Sequence, residues 1–203
     1  MKKNKISKNW INKYHRDIYV RKSKIEGFRS RAVYKLIEID KKFKIFKNGI
    51  SILDLGGAPG SWSQFLSKNL KNTKILTIDL KRIEPINKVF ILEGDFTDTK
   101  YQKQIRDYFK NKIDVLLSDM AENTTGNKNL DSILTGELCK KSMYFAKETL
   151  SKNGIFVSKL FMGSSFNEII SESKSIFKET KLYKPPSSKK DSKESFIISK
   201  FLR

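Results

Sequence analysis

"ILDLGGAPGSWSQFL", residues 52–66, runs from an apolar strand through a glycine turn into the start of a helix. Gly56, Gly57 and Gly60 give that turn backbone N–H groups with no side chain in the way. Its spacing is G-G-x-P-G and not G-x-G-x-x-G, and Pro59 removes a donor that a pyrophosphate would use, so a dinucleotide is disfavoured. Outward from this unit the pattern recurs. Strands are expected at "KILTIDL", "VFILEGD", "IDVLLSD", "GIFVSKLF" (after an Asn153-Gly154 turn), Thr180 to Lys184 and "ESFIISKFL". Helices are expected over Ser61 onward, Lys100–Lys110, Ser132–Leu150 and Ser165–Phe177. Alternation of this kind predicts an α/β fold with a mostly parallel sheet covered by helices on both faces.

Before the glycine turn, Ala32, Leu36, Ile39 and Phe43 recur at helical spacing within Arg29–Phe43, with Arg31 and Lys35 among the other residues. Residues 1–28 read as a basic arm with a short helix near Asn9 to Val20, and residues 29–203 as a single domain. Pro185 to Lys193 is a polar loop rich in Pro, Ser and Lys.

The formal net charge is +20, and residues 1–50 hold 16 basic residues against 4 acidic ones. That excess points to a polyanion, nucleic acid first, with strongly salt-dependent binding through the arm, the Arg29–Lys47 region and the 185–193 loop. Tyr14, Tyr19, Phe28 and Tyr34 are available to stack on bases, Tyr34 sitting next to an apolar helix face. One cysteine, Cys139, excludes an internal disulfide, and with a single histidine, His15, a metal site or a Ser-His-Asp triad is a poor reading. The absence of a long apolar run and of a secretion signal predicts a cytoplasmic protein with no membrane contact, and a monomer is the default expectation.

Two groups of polar residues fall at strand ends. Asp79 ends "TIDL", where a carboxylate accepts both ribose hydroxyls of an adenosine, a feature of nicotinamide cofactors and of S-adenosylmethionine alike. Asp95 ends the next strand, within reach of an adenine amino group, and Trp62 lies close enough to flank the cofactor. Each has a plain structural explanation alone. In order at successive strand ends they favour S-adenosylmethionine (S-adenosyl-L-methionine), its amino-acid end in the first turn. The second group is Asp119 closing "VLLSD", Lys159 inside "FVSKLF", and Glu194 opening the last strand. Burial disfavours a charged lysine and makes Lys159 a candidate proton acceptor, with Lys35 adding a second positive charge nearby.

"FRSRAVYKL", "LDLGGAPGSWSQ", "LEGDF", "LLSDMAENTTG", "FVSKLFMG" and "KPPSSKKDSKESF" together resemble, in family order, the signatures of the FtsJ/RrmJ (RlmE) family of ribose 2′-O-methyltransferases. The resemblance covers residue 28 to the end. It implies a class I S-adenosylmethionine-dependent methyltransferase (Rossmann-like) fold, a seven-stranded sheet with the last strand antiparallel, and S-adenosylmethionine as methyl donor. It also implies a catalytic tetrad of Lys35, Asp119, Lys159 and Glu194, with the cofactor held at Gly56, Gly60, Trp62, Asp79, Asp95 and Asp119. Bacterial members of this shape methylate a uridine in the A loop of 23S ribosomal RNA on the large ribosomal subunit. A transfer-RNA methyltransferase and a non-catalytic RNA-binding assembly factor are the alternatives. One position departs from the pattern: Glu122 stands where the family carries proline after "SDMA".

Overall fold

The computed structural model describes residues 17–110, 112–121, 127–189 and 191–203, without the side chains of 128 and 129. Glu122, Tyr14, His15 and most of the basic arm lie outside the described residues.

Seven strands form one sheet: β1 (Ser51–Leu55), β2 (Lys74–Asp79), β3 (Val89–Glu93), β4 (Ile113–Ser118), β5 (Leu150–Phe161), β6 (Phe177–Tyr183) and β7 (Glu194–Leu202). Their order is β3-β2-β1-β4-β5-β7-β6. β1 to β5 pair in parallel, and β7 runs antiparallel between β5 and β6. The parallel part is what the strand–helix alternation predicts, and the whole is the class I methyltransferase arrangement that the resemblance implies.

Around the sheet lie α1 (Ile18–Ile25), α2 (Val33–Phe43), α3 (Ser61–Asn69), α4 (Thr99–Phe109), α5 (Lys128–Thr149) and α6 (Phe166–Ile176). Successive strand residues point to opposite faces. Ile52, Val115 and Leu117 therefore pack with Leu36 and Ile39 of α2 and Trp62 and Leu66 of α3. Leu53, Leu55 and Leu116 pack with Ile105 of α4, Met143 of α5 and Ile169 of α6 on the other side. Among the described residues no helix is long and apolar enough to cross a membrane.

Several boundaries differ from the sequence reading: α5 begins at Lys128 and not Ser132, and three others have a local reason. α2 begins at Val33 and not Arg29, because the Arg29 backbone N–H donates to Gln64 Oε1 and the Ala32 N–H to Ser30 Oγ, which hold those residues in a turn. β5 begins at Leu150, and the Asn153-Gly154 stretch is carried inside the strand as an irregularity: Ile113 pairs with Leu150 but Val115 with Ile155. β6 follows α6 directly at Phe177, which is fully buried and stacked on Phe156. Near the amino end, the described helix is Ile18–Ile25, N-capped by the Asp17 carboxylate, which accepts from the Tyr19 N–H at 3.0 Å.

Candidate active site

The strand order reverses between β1 and β4, and ligands of open α/β sheets bind beyond the carboxyl ends of the strands at such a point. Leu55 pairs with Ser118, so Gly56 and Asp119 emerge side by side. A cavity of about 360 Å³ opens there, lined among others by Gly56, Asp79, Asp95, Phe96, Asp119 and Lys141.

The glycine turn is shaped by close approach. A Cβ on Gly57 would lie 1.9 Å from Thr77 Oγ1, and Gly60 combines a φ of 103° with Ile86 at 2.7 Å from the position of a Cβ. The turn is fastened from both sides. Asp79 Oδ2 accepts from the Ala58 N–H at 2.9 Å while Oδ1 accepts from the Lys81 N–H at 2.8 Å, and each oxygen keeps a lone pair for a further donor. Arg29 donates to the carbonyls of Pro59, Glu84 and Pro85 at 2.7–3.1 Å. Its guanidinium thus ties the turn to the segment after β2 and is engaged in the fold, although the sequence reading placed it in an RNA-binding region.

Not every expected cofactor residue reaches the cavity. Gly56, Asp79, Asp95 and Asp119 line it. Trp62 does not: the residue is 3% exposed, and its ring packs 6.0 Å from Phe196 and donates its indole N–H to the Ala32 carbonyl at 2.8 Å. The expectation that this ring flanks a cofactor is corrected to a core role. The Trp62 backbone N–H lies in the first turn of α3, where N–H groups have no partner within the helix. Gly60 likewise acts as the N-cap of α3. Asp95 Oδ1 accepts from both the N–H and the hydroxyl of Thr97 at 2.8 Å, which fixes the carboxylate.

The second group converges at the same edge. Lys35 comes from α2, Asp119 from the end of β4, Lys159 from β5 and Glu194 from the start of β7. Lys159 Nζ donates to the Asp119 carbonyl at 2.6 Å and forms an ion pair with its Oδ1 at 2.9 Å. Lys35 Nζ donates to Glu194 Oε2 at 2.7 Å and lies 3.7 Å from Asp119 Oδ2. The four side chains therefore form one chain of alternating charge. Burial opposes the Lys35 ammonium, but the Asp119 and Glu194 carboxylates outweigh it and hold its pKa above the ordinary lysine value. Burial likewise opposes ionisation of Asp119, yet Lys159 and then Lys35 hold its pKa below the usual carboxylate range.

The aromatic side chains proposed for base stacking are committed to packing where they are described. Tyr19 and Tyr34 rings meet at 5.3 Å, Phe28 sits between Tyr34 and Phe65, and the Tyr34 hydroxyl donates to Glu26.

Asp54 was not singled out from the sequence. It is fully buried beneath the glycine turn, accepts from Ser63 Oγ at 2.7 Å, and has an Oδ1 with no hydrogen-bond partner. Burial, despite the Ser63 hydrogen bond and aided by Asp119 and Asp79, pushes its carboxyl up to about 7. The signal was present: a carboxylate inside an apolar strand invites the same question that was asked of Lys159.

The donor set fits S-adenosylmethionine. Carboxylates at the ends of three strands consecutive in the chain suit ribose hydroxyls, an adenine amino group and a cationic donor.

The FtsJ-like methyltransferase family model matches residues 28–201. A ribosomal RNA large subunit methyltransferase E from Pelagibacter ubique is 60% identical over 203 residues, covering 100% of both chains. The protein of the same name from Rickettsia akari is 44% identical, covering 95% of this chain and 88% of its own. Among solved structures, a ribosomal RNA methyltransferase from Plasmodium falciparum superposes with a TM-score of 0.77 at 32% identity, over 86% of this chain and 98% of that one. Human methyltransferase-like protein 13 in complex with SAH shares the fold at a TM-score of 0.60 and 10% identity, over 83% and 79% of the two chains. With this fold, this cavity and a match over nearly its whole length, the chain belongs to the FtsJ-like methyltransferases, enzymes whose methyl donor is S-adenosylmethionine.

Proposed function

We propose that this protein methylates the ribose 2′-hydroxyl of a uridine in the A loop of large-subunit ribosomal RNA, in the cytoplasm. The observation that carries the reading is the Lys159–Asp119–Lys35–Glu194 chain at the edge of the cofactor cavity. Relatives named ribosomal RNA large subunit methyltransferase E supply the substrate class.

When bound, S-adenosylmethionine supplies a methyl group on a positively charged sulfur. Lys159 is the group for the substrate side. With one N–H on the Asp119 carbonyl, its nitrogen keeps positions for the 2′-hydroxyl. It would receive the hydroxyl proton as the methyl group is transferred to the ribose oxygen. Asp119 holds Lys159 in place, and Lys35 with Glu194 fixes the field around both. Gly56, the backbone at Gly60 and Trp62, and the Asp79, Asp95 and Asp119 carboxylates hold the cofactor. Basic residues of the amino-terminal arm, of α2 and of the 185–193 loop meet RNA phosphates, and the 2′-hydroxyl itself distinguishes RNA from DNA.

The test is labelled S-adenosylmethionine with undermethylated large ribosomal subunits, transfer RNA as a parallel substrate, and mapping of any 2′-O-methyl group. A single labelled A-loop uridine is the expected result. Label on transfer RNA alone, or cofactor binding without transfer to either RNA, would replace this reading.

A further inference from the structure

Glu194 is held at both of its oxygens. Oε2 accepts from Lys35 at 2.7 Å, and Oε1 accepts at 2.7 Å from the hydroxyl of Ser188, a residue 5% exposed in the 185–193 loop. The same loop is clamped to α2 one turn beyond Lys35. Glu38 Oε2 accepts from the Ser187 N–H at 2.9 Å and from its hydroxyl at 2.6 Å, and the Arg31 guanidinium donates to the Ser187 carbonyl. Two adjacent serines in a loop otherwise rich in lysine are thus turned inward, onto carboxylates.

We propose that Ser188 is a positioning residue of the active site: it fixes Glu194 so that Lys35 stays on Glu194 and leaves Asp119 to Lys159. The distances carry the argument. Lys35 Nζ is 2.7 Å from Glu194 and 3.7 Å from Asp119, whereas Lys159 is 2.9 Å from Asp119. A carboxylate has sites for donors at both oxygens, and one held at both has less freedom to turn than one held at a single oxygen. Without the Ser188 hydroxyl, Glu194 swings, Lys35 moves toward the remaining carboxylate, and two ammonium groups then compete for Asp119. Lys159 loses the partner that orients it. The proposal rests on the methyl-transfer reading above, but its geometric consequence stands apart from activity.

The experiment compares wild type, Ser188→Ala, Ser188→Thr and Ser187→Ala. Single-turnover methyl transfer from labelled S-adenosylmethionine to undermethylated large subunits is measured alongside cofactor affinity, melting temperature and the crystal structure of Ser188→Ala. Loss of a buried hydrogen bond to a charged group is expected to slow transfer about tenfold or more. Cofactor affinity stays within about twofold, and Glu194 is displaced with Lys35 drawn toward Asp119. Ser188→Thr keeps the donor and restores much of the rate, and Ser187→Ala, which loosens the loop but spares Glu194, costs less. A Ser188→Ala enzyme at the wild-type rate, or a Ser187→Ala enzyme as slow as Ser188→Ala, overturns the proposal. If wild type labels no RNA, the functional reading fails and the crystal structure decides: Glu194 unmoved in Ser188→Ala refutes the positioning role.

Discussion

Lys159 meets Asp119 at two points, the backbone carbonyl at 2.6 Å and the carboxylate at 2.9 Å, so one residue fixes both the place and the charge environment of the lysine. Replacing Lys159 with Ala is therefore expected to slow methyl transfer by about 10²- to 10⁴-fold. Cofactor affinity should stay close to wild type, because Lys159 is not among the residues lining the cavity. Lys159→Arg keeps a cation that cannot give up its proton and should not rescue the rate. Equal losses of rate and cofactor binding would assign Lys159 to the cofactor instead.

Lys35 stands between two carboxylates, and its removal has a consequence for stability with a defined pH window. Lys35→Met leaves Asp119 and Glu194 without their shared cation, at a cost of about 3–5 kcal/mol for a buried ion pair. Asp119 has a depressed pKa in the folded protein, so its contribution is present above the ordinary carboxylate pKa and fades as pH falls through the folded value. Lys35 has a raised one, so its contribution is complete below the ordinary lysine pKa and fades only above it. Denaturant unfolding should show the largest gap between wild type and Lys35→Met from roughly pH 5 to 9, shrinking at acid pH. A gap that does not change with pH would mean that packing, and not charge, is lost.

Elements with strong periodicity were legible in the sequence: β1, β2, β3 and β7 fall within a residue or two of their expected limits, and α3 starts at the expected Ser61. Asp119, Lys159 and Glu194 were grouped from their places at strand ends, with Lys35 as a nearby charge, while their reading as one catalytic tetrad came from the resemblance, since they come from four elements and no local spacing joins them. Roles fixed by side-chain direction were not. The Trp62 indole turns into the core because the Ala32 carbonyl offers an acceptor there, and Arg29 spends its donors on three carbonyls more than 25 positions away in the chain. Ser188 looked like loop polarity until the fold placed it against Glu194.

Trp62→Phe separates the core role from the cofactor role. The variant loses the indole N–H, leaves the Ala32 carbonyl without that donor, and opens space beside Phe196. A loss of about 1–3 kcal/mol is expected in chemical denaturation. Cofactor affinity, read by calorimetry, should change by less than about twofold, since the backbone of α3 stays in place. A large loss of cofactor binding at unchanged stability would return the ring to the cofactor site.

Asp54 gives the protein a pH response of its own. Its carboxyl titrates near 7 when folded and near the ordinary carboxylate value of about 4 when unfolded. Between those values the folded chain keeps a proton that the unfolded chain releases, so this group's effect on stability becomes less favourable as pH rises from about 4 to about 7, then levels off. Asp54→Asn has no charge to bury and lacks that decline. Relative to wild type, the variant should therefore gain stability between pH 5 and pH 8, by on the order of a few kcal/mol, because all other titrating groups contribute to both proteins alike. Urea unfolding of the pair at the two pH values measures this difference. If the difference is the same at both, Asp54 is ionised throughout, and the unpartnered Oδ1 beneath the glycine turn must be met by a donor such as a buried water.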